Sequence, residues 1–421
     1  MIRLSSSDPG LEKLFSRPGY PPEIEKSVAE ILENVRTRGD AALSEYALKF
    51  DHADLKPEQF RVTDAEIDEA AKAVSPTEKK ALRAALKAVR AFAKKQKPRD
   101  YHYSPRRGVL LGEQFFPMDR VGVYIPGGTA PLVSTVIHTA GIASAAGVRE
   151  IAAVTPPGTH PAVLYAMRLA DVTEIYRLGG VYGIAALAFG TETIKPVEKI
   201  AGPGNAYVTA AKKLVFGKVA IDMVAGPSEI MVIADRTAPP EFIAADFLSQ
   251  AEHGSGLEQS VLVSDSDEVL DAVEKEVARQ KATLPRLATV EKVLAHGAFL
   301  IRAKDMAEAA GIAGKYAPEH LEIMAENPEK IAKNVRAAGA IFLGPWTPEP
   351  AGDFCAGPSH VLPTAGSARF FRGLSTETFF RRSSIVRYSE EAIRREAWII
   401  EKFAEMEGLA AHGRAGTIRR K

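Results

Sequence analysis

Two hydrophobic rhythms divide the chain. Up to about residue 110 the apolar residues recur at helical spacing. Ile24, Val28, Ile31, Leu32 and Val35 fall on one face of the stretch 23–49, and 65–97, rich in Ala and Lys, repeats the rhythm. Thr63 and Glu66 stand before this second stretch at capping-box spacing. The segment Pro98 to Pro105 interrupts the pattern. From about Val109 short β-rich runs alternate with Ala-rich ones. VGVYIP, EIAAVTPPG, TEIYRLGG and EKIAGPGN each lead into a helical stretch. Strands separated by helices of about 10–15 residues predict βαβ units and a parallel sheet. Ligands bind beyond the carboxyl ends of such strands, so Gly127–Gly128, Gly179 and Gly202 mark a ligand face.

The alternation resumes after AGPSE. EIMVIAD reads as a strand, PPEFIAADFLSQAEH as a helix, QSVLVSD as a strand and 267–281 as a helix. HLEIM, NPEKIAKNVRAAG and AIFLG follow. This is a second α/β domain, expected to be covered by the N-terminal helical region because its strands need cover on both faces. The last 50 residues read as an exposed strand and two helices. No internal sequence repeat accompanies the two alternating blocks.

Composition narrows the function classes. At 421 residues the chain is too long for one ordinary core. Its 54 basic and 53 acidic residues give a net charge of +1, without the basic excess of a nucleic-acid binder. The basic tail GRAGTIRRK reads as a solvated end. A single cysteine, Cys355, excludes an internal disulfide and a cysteine-only metal site, and fits a reducing, cytoplasmic setting. Cys355 itself reads as a small buried side chain. The start, MIRLSSSDPGLEKLF, lacks the apolar stretch of a signal peptide, and no apolar run is long enough for a membrane span.

The candidate chemistry begins at LSQAEHG. Gln250 and His253 stand three apart at the end of a helix stopped by Gly254-Ser255-Gly256, so both side chains share one face. The negative end of the helix dipole favours a cation there. Glu319 and His320 in APEHLEI, Asp353 and His360 in GDFCAGPSHVLP, and His412 near the C-terminus are the other candidates. Adjacent residues such as Glu319 and His320 point apart and suit two roles better than one chelate.

At this point the chain resembles the histidinol dehydrogenase family, nearly end to end. The resemblance rests on VGVYIPGGTAPL, GGVYGIAALAFGTE, KIAGPGNAYV, AIDMVAGPSEIMVIAD, LSQAEHG, YAPEHLEI, GDFCAGPSHVLPT and EGLAAHGRAGTIR, in the family's order. It implies NAD-dependent, two-step oxidation of L-histidinol to L-histidine. It also implies one Zn²⁺ per subunit on Gln250, His253, Asp353 and His412, of which only Asp353 is anionic. In the family the zinc holds the substrate's amino and imidazole nitrogens; zinc polarising the alcohol oxygen is the alternative from chemistry alone. Glu319 and His320 match the acid–base pair. Ser228, His360 and Glu407 match polar groups near the substrate, which Gln250, His253, His320, Asp353 and His412 also contact. The cofactor contacts fall on Tyr124, Asn205 and Tyr182, where Tyr182 replaces the family's usual glutamine.

The fold expected from pattern and resemblance is α/β, with two Rossmann-like parallel-sheet domains, helical cover and small N- and C-terminal extensions. Its expected divisions are an N-terminal arm (1–19), a discontinuous domain with most metal and catalytic residues (20–105 and 230–373), a domain with the NAD contacts (106–229) and a C-terminal extension (374–421). The resemblance implies that the extension reaches a second subunit, so that Glu407 and His412 serve the partner's site in a homodimer. Two rivals use the same residues. One is a dehydrogenase of another polar alcohol, kept open by Tyr182. The other is a non-catalytic metal- or nucleotide-binding relative, which retention of Glu319 and His320 opposes.

Overall fold

The computed structural model describes residues 1–17, 21–127 and 131–420. Gly128 and the end of the expected 1–19 arm lie outside them. The chain forms two compact units, Met1–Gln96 with Asp119–Thr378, and Lys97–Met118 with Phe379–Lys421.

The first unit holds two parallel sheets. One has five strands in the order Glu174–Tyr176, Glu150–Val154, Arg120–Tyr124, Lys199–Ala201 and Ala220–Ile221. The other has six, ordered Ile2–Ser5, Ala298–Arg302, Gln259–Ser264, Glu229–Ala234, His320–Met324 and Ala340–Leu343. Leaving out the edge strand Ile2–Ser5 and counting along the chain, both sheets run 3-2-1-4-5, the order of the first five strands of a Rossmann sheet. The α/β class with two Rossmann-like sheets is therefore what the chain adopts, and the shared order appears without any sequence repeat. Each sheet reverses its winding between strands 1 and 4. In the six-stranded sheet these are Glu229–Ala234 and His320–Met324, both buried along their whole length. A strand covered on both faces should be apolar, so Glu229, His320 and Glu322 stand out.

The N-terminal helices lie elsewhere than expected. Val28, Leu32, Val35, Leu43 and Tyr46, from helices Pro22–Arg38 and Asp40–Asp51, share a core with Tyr124, Val154, Tyr176 and Ile184 of the five-stranded sheet. From the N-terminal region the six-stranded sheet receives only the short segment 9–15. One face takes Phe247, Val273 and Val293 from its own helices, and the other takes Leu11, Leu14, Ile312 and Tyr316. Hydrophobic periodicity identifies the apolar face of a helix but not the sheet that receives it. Ile2–Ser5 is likewise a strand, paired with Ala298–Arg302. The capping box is formed, with Thr63 N–H donating to Glu66 Oε2 at 2.8 Å and Glu66 N–H to Thr63 Oγ1 at 3.3 Å.

In the second unit Val109–Pro117 pairs antiparallel with Phe380–Tyr388 and with Tyr101–Arg106. Helices Glu390–Glu407 and Ala410–Thr417 follow, matching the strand and two helices read for the last 50 residues. The sequence reading divided 97–118 between two α/β domains; its actual partner lies far along the chain, which a local pattern does not reveal. Among the described residues no helix is long and apolar enough to cross a membrane.

Candidate active site

The candidate residues of the six-stranded sheet gather at the amino ends of Glu229–Ala234 and His320–Met324, the strands between which its winding reverses, opposite to the carboxyl-end rule. His320 opens its strand and pairs in register with Ile230. The chain enters this strand through Ala317, whose φ of +51° is a left-handed conformation costing a non-glycine about 1–2 kcal/mol. Gly339 lets the neighbouring segment close in, because a Cβ there would meet the Glu319 carbonyl oxygen at 2.5 Å.

One residue's backbone holds the adjacent pair. Glu229 N–H donates to Glu319 Oε2 at 2.9 Å. The Glu229 carbonyl oxygen lies 3.0 Å from His320 Nδ1. A carbonyl only accepts, so Nδ1 carries the proton and Nε2 keeps the lone pair. Burial lowers the His320 pKa to about 3, so the ring is neutral. Burial first, then the carboxylates of Glu229, Asp353 and Glu349, raises Glu319 well above the usual range.

Glu349 Oε1 faces His320 Nε2 at 3.5 Å. Glu349 opens the short helix Glu349–Phe354, donating its N–H to Glu322 Oε1 at 2.7 Å and accepting from Ser249 Oγ at 3.2 Å. Asp353 follows one turn later, on the same face of this helix. Burial raises Glu349 to about 8 and Asp353 to about 7. His320, Glu349 and Asp353 each offer a ligand atom, all within 4.8 Å of one another.

Gln250 lies in the last turn of helix Pro240–Ala251, fully buried, with neither amide atom hydrogen-bonded. His253 is exposed just beyond the helix, its N–H donating to the Gln250 carbonyl at 3.4 Å. The two thus share a turn, although the regular helix ends at Ala251. His253 is close enough to His320 and His360 to disfavour their protonation. His360 Nδ1 lies 3.7 Å from Asp353 Oδ1, and the ring stacks on His138 at 4.5 Å. Ser228 precedes Glu229 and accepts at its carbonyl from Gln259 N–H at 3.1 Å. Gln250, His253, Glu319, His320, Asp353, His360 and Ser228 therefore all belong to the first unit. Glu407 and His412 belong to the second and are exposed there. Cys355 is exposed rather than buried, because the helix ends at Phe354 and turns it outward.

The residues expected on the cofactor side cluster at the carboxyl ends of the five-stranded sheet. Tyr124 ends its strand, with its side chain buried. Burial pushes this phenol up to about 12. Tyr182 is 2% exposed, and its hydroxyl donates to the Asp51 carboxylate. Asn205 caps helix Ala206–Val215, its Oδ1 accepting from Tyr207 and Val208 N–H at 3.0 and 3.1 Å.

Sequence reasoning passed over Glu229, Glu349, His138, Arg17 and Asp51. Only Glu349 left a local trace: it stands four residues before Asp353, the spacing that puts two side chains on one helix face.

A family model for histidinol dehydrogenase matches residues 19–420. The histidinol dehydrogenase of Rhizobium meliloti is 46% identical over 99% of this chain and 98% of its own length. That of Neisseria meningitidis serogroup B is 44% identical over the whole of both chains. The chain belongs to the histidinol dehydrogenase family. The crystal structure of histidinol dehydrogenase from Elizabethkingia anophelis superposes with a TM-score of 0.95 at 38% identity, covering 100% of this chain and 98% of the other. Membership makes the protein an oxidoreductase of histidinol oxidation in histidine biosynthesis.

Proposed function

We propose that the protein is a cytoplasmic, zinc-dependent, NAD-linked dehydrogenase that converts L-histidinol to L-histidine through L-histidinaldehyde in four electrons. The observation that carries this reading is the pair Glu319 and His320, held by one backbone residue, with the Asp353 carboxyl within reach of His320. Gln250, His253 and Asp353, with His412 from a second subunit, would hold the zinc. The donor set fits: two imidazoles and a carboxylate are ordinary zinc ligands, and a cation would satisfy the orphaned Gln250 oxygen. Bound zinc would supply a positive centre that fixes the substrate's nitrogens and orients its alcohol.

The cofactor side fits a dinucleotide. Gly180 has φ +47° with open space beside it, at the N-terminus of an uncapped helix, Gly180–Phe189. Such an end attracts phosphate. Asn205 has its NH₂ left to offer, and Tyr124 and Tyr182 line the same end. NAD would accept a hydride in each oxidation.

The chain's own residues move the protons. His320 Nε2, neutral and unpaired, takes the hydroxyl proton of the alcohol as hydride leaves the carbon. Glu319, as carboxylate, takes a proton from the water that adds to the aldehyde; burial makes it a strong base once ionised. His320 then takes a hydroxyl proton from the hydrate during the second oxidation. Ser228, His360 and Glu407 bind the substrate's polar groups. The test is turnover by purified, zinc-loaded protein with NAD and L-histidinol, read as two NADH formed per histidinol consumed. Absence of NADH from folded, metal-loaded protein refutes the reading.

A further inference from the structure

Glu229 has a side chain as constrained as its backbone. The carboxylate is buried at the amino end of an otherwise apolar strand, where an unpaired charge is costly. Arg17 Nε lies 2.8 Å from Glu229 Oε1, and both side chains are below 10% exposed. The Ala365 N–H donates to the same oxygen at 3.1 Å. The guanidinium is itself held on a second site. It sits 3.7 Å over the Tyr316 ring and donates to the Tyr316 carbonyl oxygen at 2.8 Å.

The loop then closes. The Tyr316 hydroxyl bonds Gln259 Oε1 at 2.6 Å, and Gln259 N–H donates to the carbonyl of Ser228, the residue before Glu229. Tyr316 is also the last helical residue before the turn that leads into Glu319 and His320. Arg17 therefore joins both segments of the acid–base apparatus, the strand start at Glu229 and the turn after Tyr316.

We infer that the buried Arg17–Glu229 pair is a positioning device that fixes Glu319 and His320 from outside the substrate's reach. The inference rests on the acid–base roles proposed above. Neither residue touches reacting atoms. Glu229 acts through its backbone N–H on Glu319 and its carbonyl on the His320 Nδ1 proton, and Arg17 acts by pinning Glu229. A pair so enclosed fixes one geometry, and removing either partner leaves the other's polar group buried and unpaired.

The test compares Glu229→Gln, Arg17→Met and Arg17→Lys in the full-length, zinc-loaded protein. Glu229→Gln keeps the shape and the acceptor for Ala365 N–H, so it remains informative if Arg17→Met fails to fold. A displacement of the base predicts a kcat loss of about 10- to 100-fold, with KM for L-histidinol altered by no more than about twofold. Arg17→Lys should recover part of the loss seen in Arg17→Met. Imidazole ¹⁵N spectra, with His320 assigned by its loss in His320→Asn, should show the Nδ1-protonated ring in the parent and a mixture of tautomers in Glu229→Gln. Parent-like kcat and an unchanged His320 tautomer in folded Glu229→Gln would overturn the inference. So would activity that merely tracks the folded fraction. The spectra do not depend on turnover, so the positioning role is decided even if the parent fails to oxidise histidinol.

Discussion

His320 Nε2 and Glu349 Oε1 face each other at 3.5 Å, each buried and neither hydrogen-bonded. With Nδ1 committed to the Glu229 carbonyl, Nε2 is the only ring atom able to take a proton. A proton arriving there creates an imidazolium in a dry setting, and Glu349, whose carboxyl burial raises to about 8, is placed to ionise beside it as the counter-charge. Glu349→Gln keeps the shape and removes that charge. The expected result is a kcat loss of about 10- to 100-fold, with zinc content unchanged. Equal kcat in parent and variant would remove Glu349 from the proton chemistry.

Two overlapping sets of ligand atoms compete for a metal. His320, Glu349 and Asp353 lie within 4.8 Å of one another. Gln250, His253 and Asp353 are the set favoured by the orphaned carboxamide. His320→Asn separates them. It should abolish turnover while retaining about one zinc per chain by atomic absorption, since one stoichiometric site is proposed. His253→Ala and Asp353→Asn should lose both zinc and turnover. Loss of zinc from His320→Asn, with His253→Ala retaining it, would favour the other set.

Burial raises the Glu229 carboxyl to about 7, against the opposing pull of Arg17. The folded state therefore holds this proton more tightly than the unfolded chain, whose carboxyl titrates near 4.5. The resulting stabilisation is complete below about pH 4.5 and is lost as pH rises through about 7. It amounts to at most about 3 kcal/mol. Glu229→Gln does not titrate, so the parent's Tm should fall relative to the variant's between pH 5 and 8. A difference that stays flat, or that grows in the parent's favour, contradicts the assignment.

The parts legible in the sequence were those written locally. Both alternating blocks predicted parallel sheets, and Thr63 with Glu66 predicted a cap that forms. Glu319 and His320 stood out as adjacent groups suited to two roles, and the structure brings His320 within reach of Asp353. Residues acting through space left no comparable mark. Glu229 is an ordinary glutamate until its strand proves buried and its backbone proves to hold two side chains. Arg17 sits far from Glu229 in the chain, and only folding joins them. The N-terminal helices were assigned to the wrong sheet for the same reason.

Glu407 and His412 lie in the unit that also holds Lys97–Met118, and both are exposed there. If they complete the site of a second subunit, two defective chains can complement each other. Glu319→Gln removes a residue of the first unit, and His412→Ala one of the second. A co-refolded mixture should contain sites in which both residues are intact, restoring about a quarter of parental activity by random pairing of a symmetric dimer. Each variant alone should be inactive. Mixed dimers, verified by differential tagging, that remain inactive would rule out shared sites.

The Tyr182 hydroxyl is committed to Asp51. A Cβ at Gly179 would lie 3.0 Å from Asp51 Oδ2, so the pair borders the Gly179–Gly180 turn that opens helix Gly180–Phe189. Tyr182→Phe keeps the ring in the core and releases the carboxylate beside that turn. One lost hydrogen bond to a charged group is worth about 1–2 kcal/mol at a half-buried acceptor. Tm should therefore fall, and KM for NAD should rise about three- to tenfold as the turn loosens. KM for L-histidinol should hold. Asp51→Asn should reproduce both effects, and the double variant should be little worse than either single one, because both remove the same contact. A destabilised Tyr182→Phe protein with parental KM for NAD would confine Tyr182 to the core and leave the cofactor side to Tyr124 and Asn205.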